Sequence, residues 1–118
     1  MKAYTLGFIF SHDLLKVLLM HKNRPDWQAG KLNGIGGRIE RGEESSDCIV
    51  REVKEEAGVK TKKKDWKYFG KLKAKGWRVD LYAIVYKGDT NDFSTTTDEE
   101  IEWFEADDLP DGGIEGLS

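Results

Sequence analysis

Cysteine, histidine and long apolar runs are all scarce in this chain, and each scarcity excludes something. One cysteine, Cys48, stands among 118 residues, and a single thiol closes no internal disulfide. A reducing interior fits best, so the cytoplasm is the expected compartment. The two histidines, His12 and His21, have no partner pattern, and neither is assigned a metal. No apolar run approaches the roughly 20 residues that span a bilayer, so no membrane partner is expected. Residues 4–10 are apolar, but Gly7 interrupts them and the run is short for a signal-peptide core. Positive charge is not in excess either. Lys and Arg number 19 against 22 Asp and Glu, a net charge of −3, so bulk electrostatics give no case for a nucleic-acid partner. Repeats and low-complexity linkers are absent. The length suits one compact domain and is too small for two.

What is present is a strand-rich pattern around one helix. Residues 4–10 and 16–20 are β-favouring runs on either side of the polar turn Ser11-His12-Asp13. Residues 21–38 are rich in Gly, Asn and charge and read as a long shaped loop, with a short strand at 32–35. Residues 38–40 are expected to extend another strand. A helix is predicted over 45–57, with Ser45 or Ser46 as its cap and Asp47 at the positive end of its dipole. Ile49, Val50, Val53 and Ala57 fall on one side of it, and Gly58 is suited to stop it. Strands follow at 66–73 and 79–86, joined by a turn at Lys75-Gly76, and another at 101–104.

The helix carries Glu52, Glu55 and Glu56 on the face opposite its apolar side. Like charges at such spacings cost roughly 0.2–0.5 kcal/mol per pair. Two readings account for that. The face is solvated, with Arg51 reaching Glu55 at i+4. Alternatively a cation offsets the repulsion, and Mg²⁺, a hard ion that takes carboxylates together with substrate phosphates, suits such a face. Gly34-Ile35-Gly36-Gly37, just upstream, would let backbone approach a ligand closely and offer a carbonyl to the same ion. Glu43 lies where it can pair with Arg51.

The combined spacing is far more specific than its parts. Gly37, Glu43, Arg51-Glu52, Val53, Glu55-Glu56, Gly58 and Val59 resemble the Nudix hydrolase signature, G-x5-E-x7-R-E-U-x-E-E-x-G-U with U a bulky apolar residue. All nine fixed positions in the 23-residue span are met. The flanks GKLNGIGG and EEIEWFEADDLP are also similar to this family.

The resemblance implies an α+β chain with the Nudix fold, an α/β/α sandwich with a curved mixed sheet. It implies a hydrolase cutting within the pyrophosphate of a nucleotide substrate, with Mg²⁺ as cofactor and Mn²⁺ as substitute. Glu52, Glu55 and Glu56 would be carboxylate ligands or base, the Gly36 carbonyl a further ligand beside Gly37, and Arg51 with Glu43 an orienting pair. An additional acid is expected among Asp98, Glu99 and Glu100, with Glu99 favoured. GKLNGIGG is similar to the oxidised-purine nucleoside triphosphatases of the family, where the asparagine at the position of Asn33 contacts the base. The expected reaction is therefore conversion of a nucleoside triphosphate to the monophosphate and pyrophosphate. A nucleotide sugar or dinucleotide such as ADP-ribose, or a silent nucleotide-binding domain, are the alternatives.

Beyond Pro110 the sequence departs from those relatives, giving Asp111-Gly112-Gly113-Ile114-Glu115 where they continue into a helix. A single domain over 1–118 that lacks this C-terminal helix is expected. Lys22 and Arg24 either meet phosphates or are solvated. Trp66, Trp77 and Trp103 are expected in the core, while Trp27, in a polar loop, is open. Lys60, Lys62, Lys63 and Lys64 either face water or meet the backbone of an RNA substrate. Monomer and homodimer both remain open.

Overall fold

A computed structural model describes residues 1–24 and 29–109. The expectations for Trp27 and for the C-terminal helix fall outside these residues. Six strands and one α-helix follow in the order β1 (Lys2–Phe10), β2 (Lys16–His21), β3 (Leu32–Asn33), α1 (Ser45–Ala57), β4 (Lys67–Ala74), β5 (Trp77–Val85) and β6 (Ile101–Glu105). Single turns of 3₁₀-helix lie at Lys63–Asp65 and Thr90–Asp92. The sheet is mixed. β1 runs parallel to β5, whereas β1–β2, β2–β3, β2–β6 and β4–β5 are antiparallel.

The sheet is opened by a wedge. β1 and β2 pair directly only at Ile9–Leu18 and Phe10–Val17. Beyond that point the chain after β3 runs beside β1 instead. The Gly7 N–H donates to the Ile35 carbonyl at 2.7 Å, and the Thr5 N–H to the Gly37 carbonyl at 2.8 Å. This inserted segment is the glycine-rich stretch, and the wedge brings it under α1. Residues 38–40 form no strand, contrary to expectation, beyond one bridge from Arg38 to Tyr4. The chain turns there, closed by the Glu43 N–H on the Glu40 carbonyl at 2.9 Å.

α1 lies on one face of the sheet through the expected stripe of Ile49, Val53 and Ala57, with Cys48 beside it, all buried. Gly7 permits the close approach, since a Cβ there would sit 2.6 Å from Ile49 Cδ1. Burial of this stripe holds the helix more firmly than its own propensity does. Gly58 ends it in the left-handed conformation, with φ of 77° and its N–H on the Lys54 carbonyl. The start differs from expectation. Glu44 is the cap residue and makes no side-chain cap bond. Ser45 is already helical, and its hydroxyl accepts from Tyr82 at 2.9 Å, so the tertiary contact replaces a local cap.

Ile9, Leu18, Met20, Ile35, Trp66, Tyr82 and Ile84 complete the core beneath α1. Phe8, Val17, Leu19 and Leu32 form a smaller cluster on the opposite face. α1 is the one α-helix among the described residues, so the other helical layer of the sandwich is not represented in them. Trp66 is buried and Trp103 half-buried, but Trp77 is 38% exposed because it opens β5 beside the outermost strand. Among the described residues no helix is long and apolar enough to cross a membrane.

Candidate active site

Two glycines shape the cradle that receives the helix carboxylates. A Cβ on Gly36 would lie 2.0 Å from the Thr5 carbonyl oxygen, a backbone collision. A Cβ on Gly37 would lie 2.5 Å from the Glu52 carboxylate. Gly37 thus leaves room for Glu52 against the loop. Ile35 and Gly37 turn their carbonyls to β1, so the alternation of an extended chain turns the Gly36 carbonyl away from it.

Arg51 ties loop to helix. Its Nε and Nη2 donate to Glu43 at 2.8 and 3.0 Å, a bidentate fork. Nη2 also donates to the Arg38 carbonyl at 3.1 Å, and Nη1 to Glu52 at 2.9 Å. Hydrogen bonding by Arg51 pulls the Glu43 carboxyl down to about 2, and Glu43 in turn pushes the guanidinium up. Glu52 is therefore held by the Arg51 cation and seated in the space that Gly37 leaves free. Glu55 lies at the rim, 56% exposed and 3.3 Å from Arg51.

Glu56 is the strained member. Burial first, then its hydrogen bond to Glu52 and the Glu52 charge, push its carboxyl up to about 9. Lys22 pulls in the other direction and Glu99 adds to the rise. Two carboxyls this close disfavour a charge on Glu56. Glu99 is buried, and its oxygens accept from Lys22 Nζ at 3.0 Å, the Asn23 N–H at 2.7 Å and the Arg24 N–H at 3.2 Å. Burial raises its carboxyl, but these donors outweigh that and the net direction is down. The structure thus brings Lys22 and Glu99 together beside Glu56. Arg24 instead pairs with Asp98, and Glu100 faces elsewhere, near His21 and Glu102.

Asn33 is buried at the end of β3, and its amide oxygen accepts the Gly34 N–H at 2.8 Å. A cleft of about 600 Å³ opens beside Glu52, and Arg38, Arg41 and Arg51 contribute to its lining. The sequence reading passed over Arg38 and Arg41. Their one signal was position, next to the glycines and within the Gly37–Glu43 loop.

An acidic helix face set on a glycine cradle in a mixed sheet defines a class, and the comparisons agree with it. The NUDIX domain family model matches residues 3–116, and the chain belongs to this family. Three solved structures share its fold. One is a MutT from work on Aliivibrio salmonicida and Vibrio cholerae, 22% identical with a TM-score of 0.74, the match covering 88% of this chain and 79% of that one. A MutT/nudix family protein from Enterococcus faecalis is 21% identical with a TM-score of 0.77, over 88% of this chain and 43% of that one. A MutT NUDIX hydrolase from Burkholderia pseudomallei is 22% identical with a TM-score of 0.75, over 92% and 86%. Nudix hydrolases act on nucleotide substrates and generally use a divalent metal ion.

Proposed function

We propose that this chain is a Mg²⁺-dependent pyrophosphohydrolase that converts a nucleoside triphosphate to the monophosphate and pyrophosphate. The observation that carries the reading is the crowding of Glu52 and Glu56 against the glycine cradle, with the Glu52 carboxylate packed on Gly37 and Glu99 close by. Carboxylates this close repel one another, a cation would relieve that repulsion, and the all-oxygen donor set fits a hard divalent ion. Glu52, Glu56 and the Gly36 carbonyl would hold it, with Glu55 at the rim. When bound, the ion neutralises phosphate charge and lowers the pKa of a coordinated water.

The remaining work falls to the chain. Arg51 and Glu43 fix the position of Glu52. Arg38 and Arg41 supply positive charge in the cleft for the polyphosphate. Lys22, held by Glu99, presents an ammonium beside Glu56. The carboxylate left free among the three accepts the proton of the attacking water. An oxygen–phosphorus bond forms, the bridging phosphorus–oxygen bond breaks, and pyrophosphate leaves.

Asn33 uses one of the two acceptor sites of its amide oxygen on Gly34, so a preference for an oxidised purine rests chiefly on its amide N–H₂. ADP-ribose belongs in the test for that reason. Nucleoside triphosphates, including oxidised purines, and ADP-ribose are incubated with Mg²⁺ or Mn²⁺ and the products identified. Monophosphate and pyrophosphate from a triphosphate are expected. Cleavage of ADP-ribose alone would replace the substrate, and no turnover of any compound would overturn the catalytic reading.

A further inference from the structure

Like charges gather a second time, on lysines. A cavity of about 490 Å³ lies past the C-terminus of α1, where the ends of β1 and β5 meet the segment after the helix. Lys60, Lys62, Lys67 and Lys87 all line it. Asp65 is the one acidic residue of the lining. None of the four lysines forms an ion pair with a described residue. Neighbouring Lys63, by contrast, is paired with Asp47 at 3.2 Å. The floor is apolar, with Phe10 and Val85, and Val85 is 41% exposed although it is a large aliphatic side chain in a strand. The lining shares no residue with the glutamate site.

The charge is locally concentrated although the chain as a whole is acidic. Residues 60–78 hold nine Lys and Arg against one Asp. Solvated lysines on a flat surface disperse their charge into water. Four around one concavity focus it, and a low-dielectric floor strengthens the field. An anion of phosphate type, taking several ammonium donors at once, matches that rim. An exposed apolar floor in the same concavity calls for a ligand with an apolar or planar body as well.

We propose that this cavity is a second, non-catalytic site for an organic phosphate, with the phosphate on the four lysines and the body of the ligand against Phe10 and Val85. A nucleotide and the terminal nucleotide of an RNA share that chemistry, and the arms of the test separate them.

The test is a ¹H–¹⁵N NMR titration of the whole chain in EDTA, which withholds divalent ions from the glutamates. ADP, inorganic pyrophosphate and a short single-stranded RNA are the probes. ADP is expected to move the amides of Thr61, Lys62, Val85 and Gly88, with pyrophosphate moving them more weakly because it lacks the apolar body. The double variant K62E/K87E is expected to weaken ADP binding there by about tenfold or more, since two charge-assisted contacts become repulsive. Its circular dichroism and its metal-dependent hydrolysis should stay unchanged, as neither lysine touches the glutamate site. RNA shifting this same set of amides while ADP does not would assign the terminal nucleotide as the ligand. RNA shifts spread along the whole of residues 60–78 would overturn the proposal in favour of an extended polyanion surface. Unmoved cavity amides with every probe would overturn it outright, as would equal ADP affinity in the variant.

Discussion

The Arg51 guanidinium clasps Glu43 through two hydrogen bonds, Nε to Oε2 at 2.8 Å and Nη2 to Oε1 at 3.0 Å. Eight residues apart in sequence, the two join the loop before α1 to its middle turn. Lysine cannot reproduce the fork, because it lacks the second nitrogen in plane. Arg51→Lys is expected to cost about 1.5–3 kcal/mol in urea denaturation at pH 7, the range for hydrogen bonds to charged groups. The Glu43 carboxyl falls from 4.5 to about 2 on folding. Its contribution is therefore full above pH 4.5 and is lost as pH falls through about 2. Glu43→Gln should match wild type in acid at the bottom of that window and fall below it at neutrality. A constant gap at every pH would remove the ion pair from the account.

Gly36 and Gly37 separate folding from chemistry. Gly36→Ala meets backbone at 2.0 Å, and neither partner can step aside. A large loss of melting temperature is expected, read by calorimetry. Gly37→Ala meets the end of a flexible side chain, the Glu52 carboxylate at 2.5 Å. Here the carboxylate swings away at small cost to the fold, and metal-dependent hydrolysis drops by orders of magnitude. Near-normal turnover in a folded Gly37→Ala protein would show that the position of Glu52 does not matter.

The pH response of Glu56 has the opposite sign to that of Glu43. Its carboxyl rises from 4.5 to about 9 on folding, so the folded state holds a proton that the unfolded state has lost. Stability then declines as pH rises from 4.5 toward 9. The groups facing it are Glu52 on its own helix, Glu99 ahead of β6, and Lys22 at the end of β2. In EDTA, Glu56→Gln should melt above wild type at pH 8 and converge with it near pH 4.5. Saturating Mg²⁺ should reverse the order, because only wild type keeps the full carboxylate set. A melting temperature that ignores both pH and metal would sink this assignment.

The helix and the spacing of its glutamates were readable because both are local. Ile49, Val53 and Ala57 announce the buried face, and Gly58 its end. The hairpin at Lys75-Gly76 was readable for the same reason. Residues 38–40 misled because a short polar run beside β1 has strand-like pairing at one point and a turn immediately after. The partners of Glu99 were out of reach. Lys22 lies 77 positions away, and only the β2–β6 pairing brings the two together. The lysine cavity was hidden in the same way, since Phe10, Lys60 and Lys87 meet only when β1 and β5 lie side by side. Net charge concealed it further by averaging it against the acidic remainder of the chain.

Asn33 offers two roles that one substitution can divide. Its amide oxygen accepts the buried Gly34 N–H at 2.8 Å, a local bond that shapes the turn into the glycine stretch. Asn33→Ala leaves that N–H without its partner and should cost about 1–3 kcal/mol, the usual penalty for a buried donor left unsatisfied. Asn33→Asp keeps an acceptor at the same place and should retain most of the stability. It also replaces the amide N–H₂ with an oxygen, so any hydrogen bond donated to a base is lost. If the amide reads the base, the aspartate variant folds well but its KM rises for purine triphosphates far more than for pyrimidine ones. A turn-shaping residue would instead leave the ratio of the two KM values unchanged. Steady-state kinetics with one purine and one pyrimidine triphosphate, run beside a melting curve, decide between them. An unchanged ratio in a stable variant would direct the search for the specificity determinant to the cleft bordered by Arg38 and Arg41.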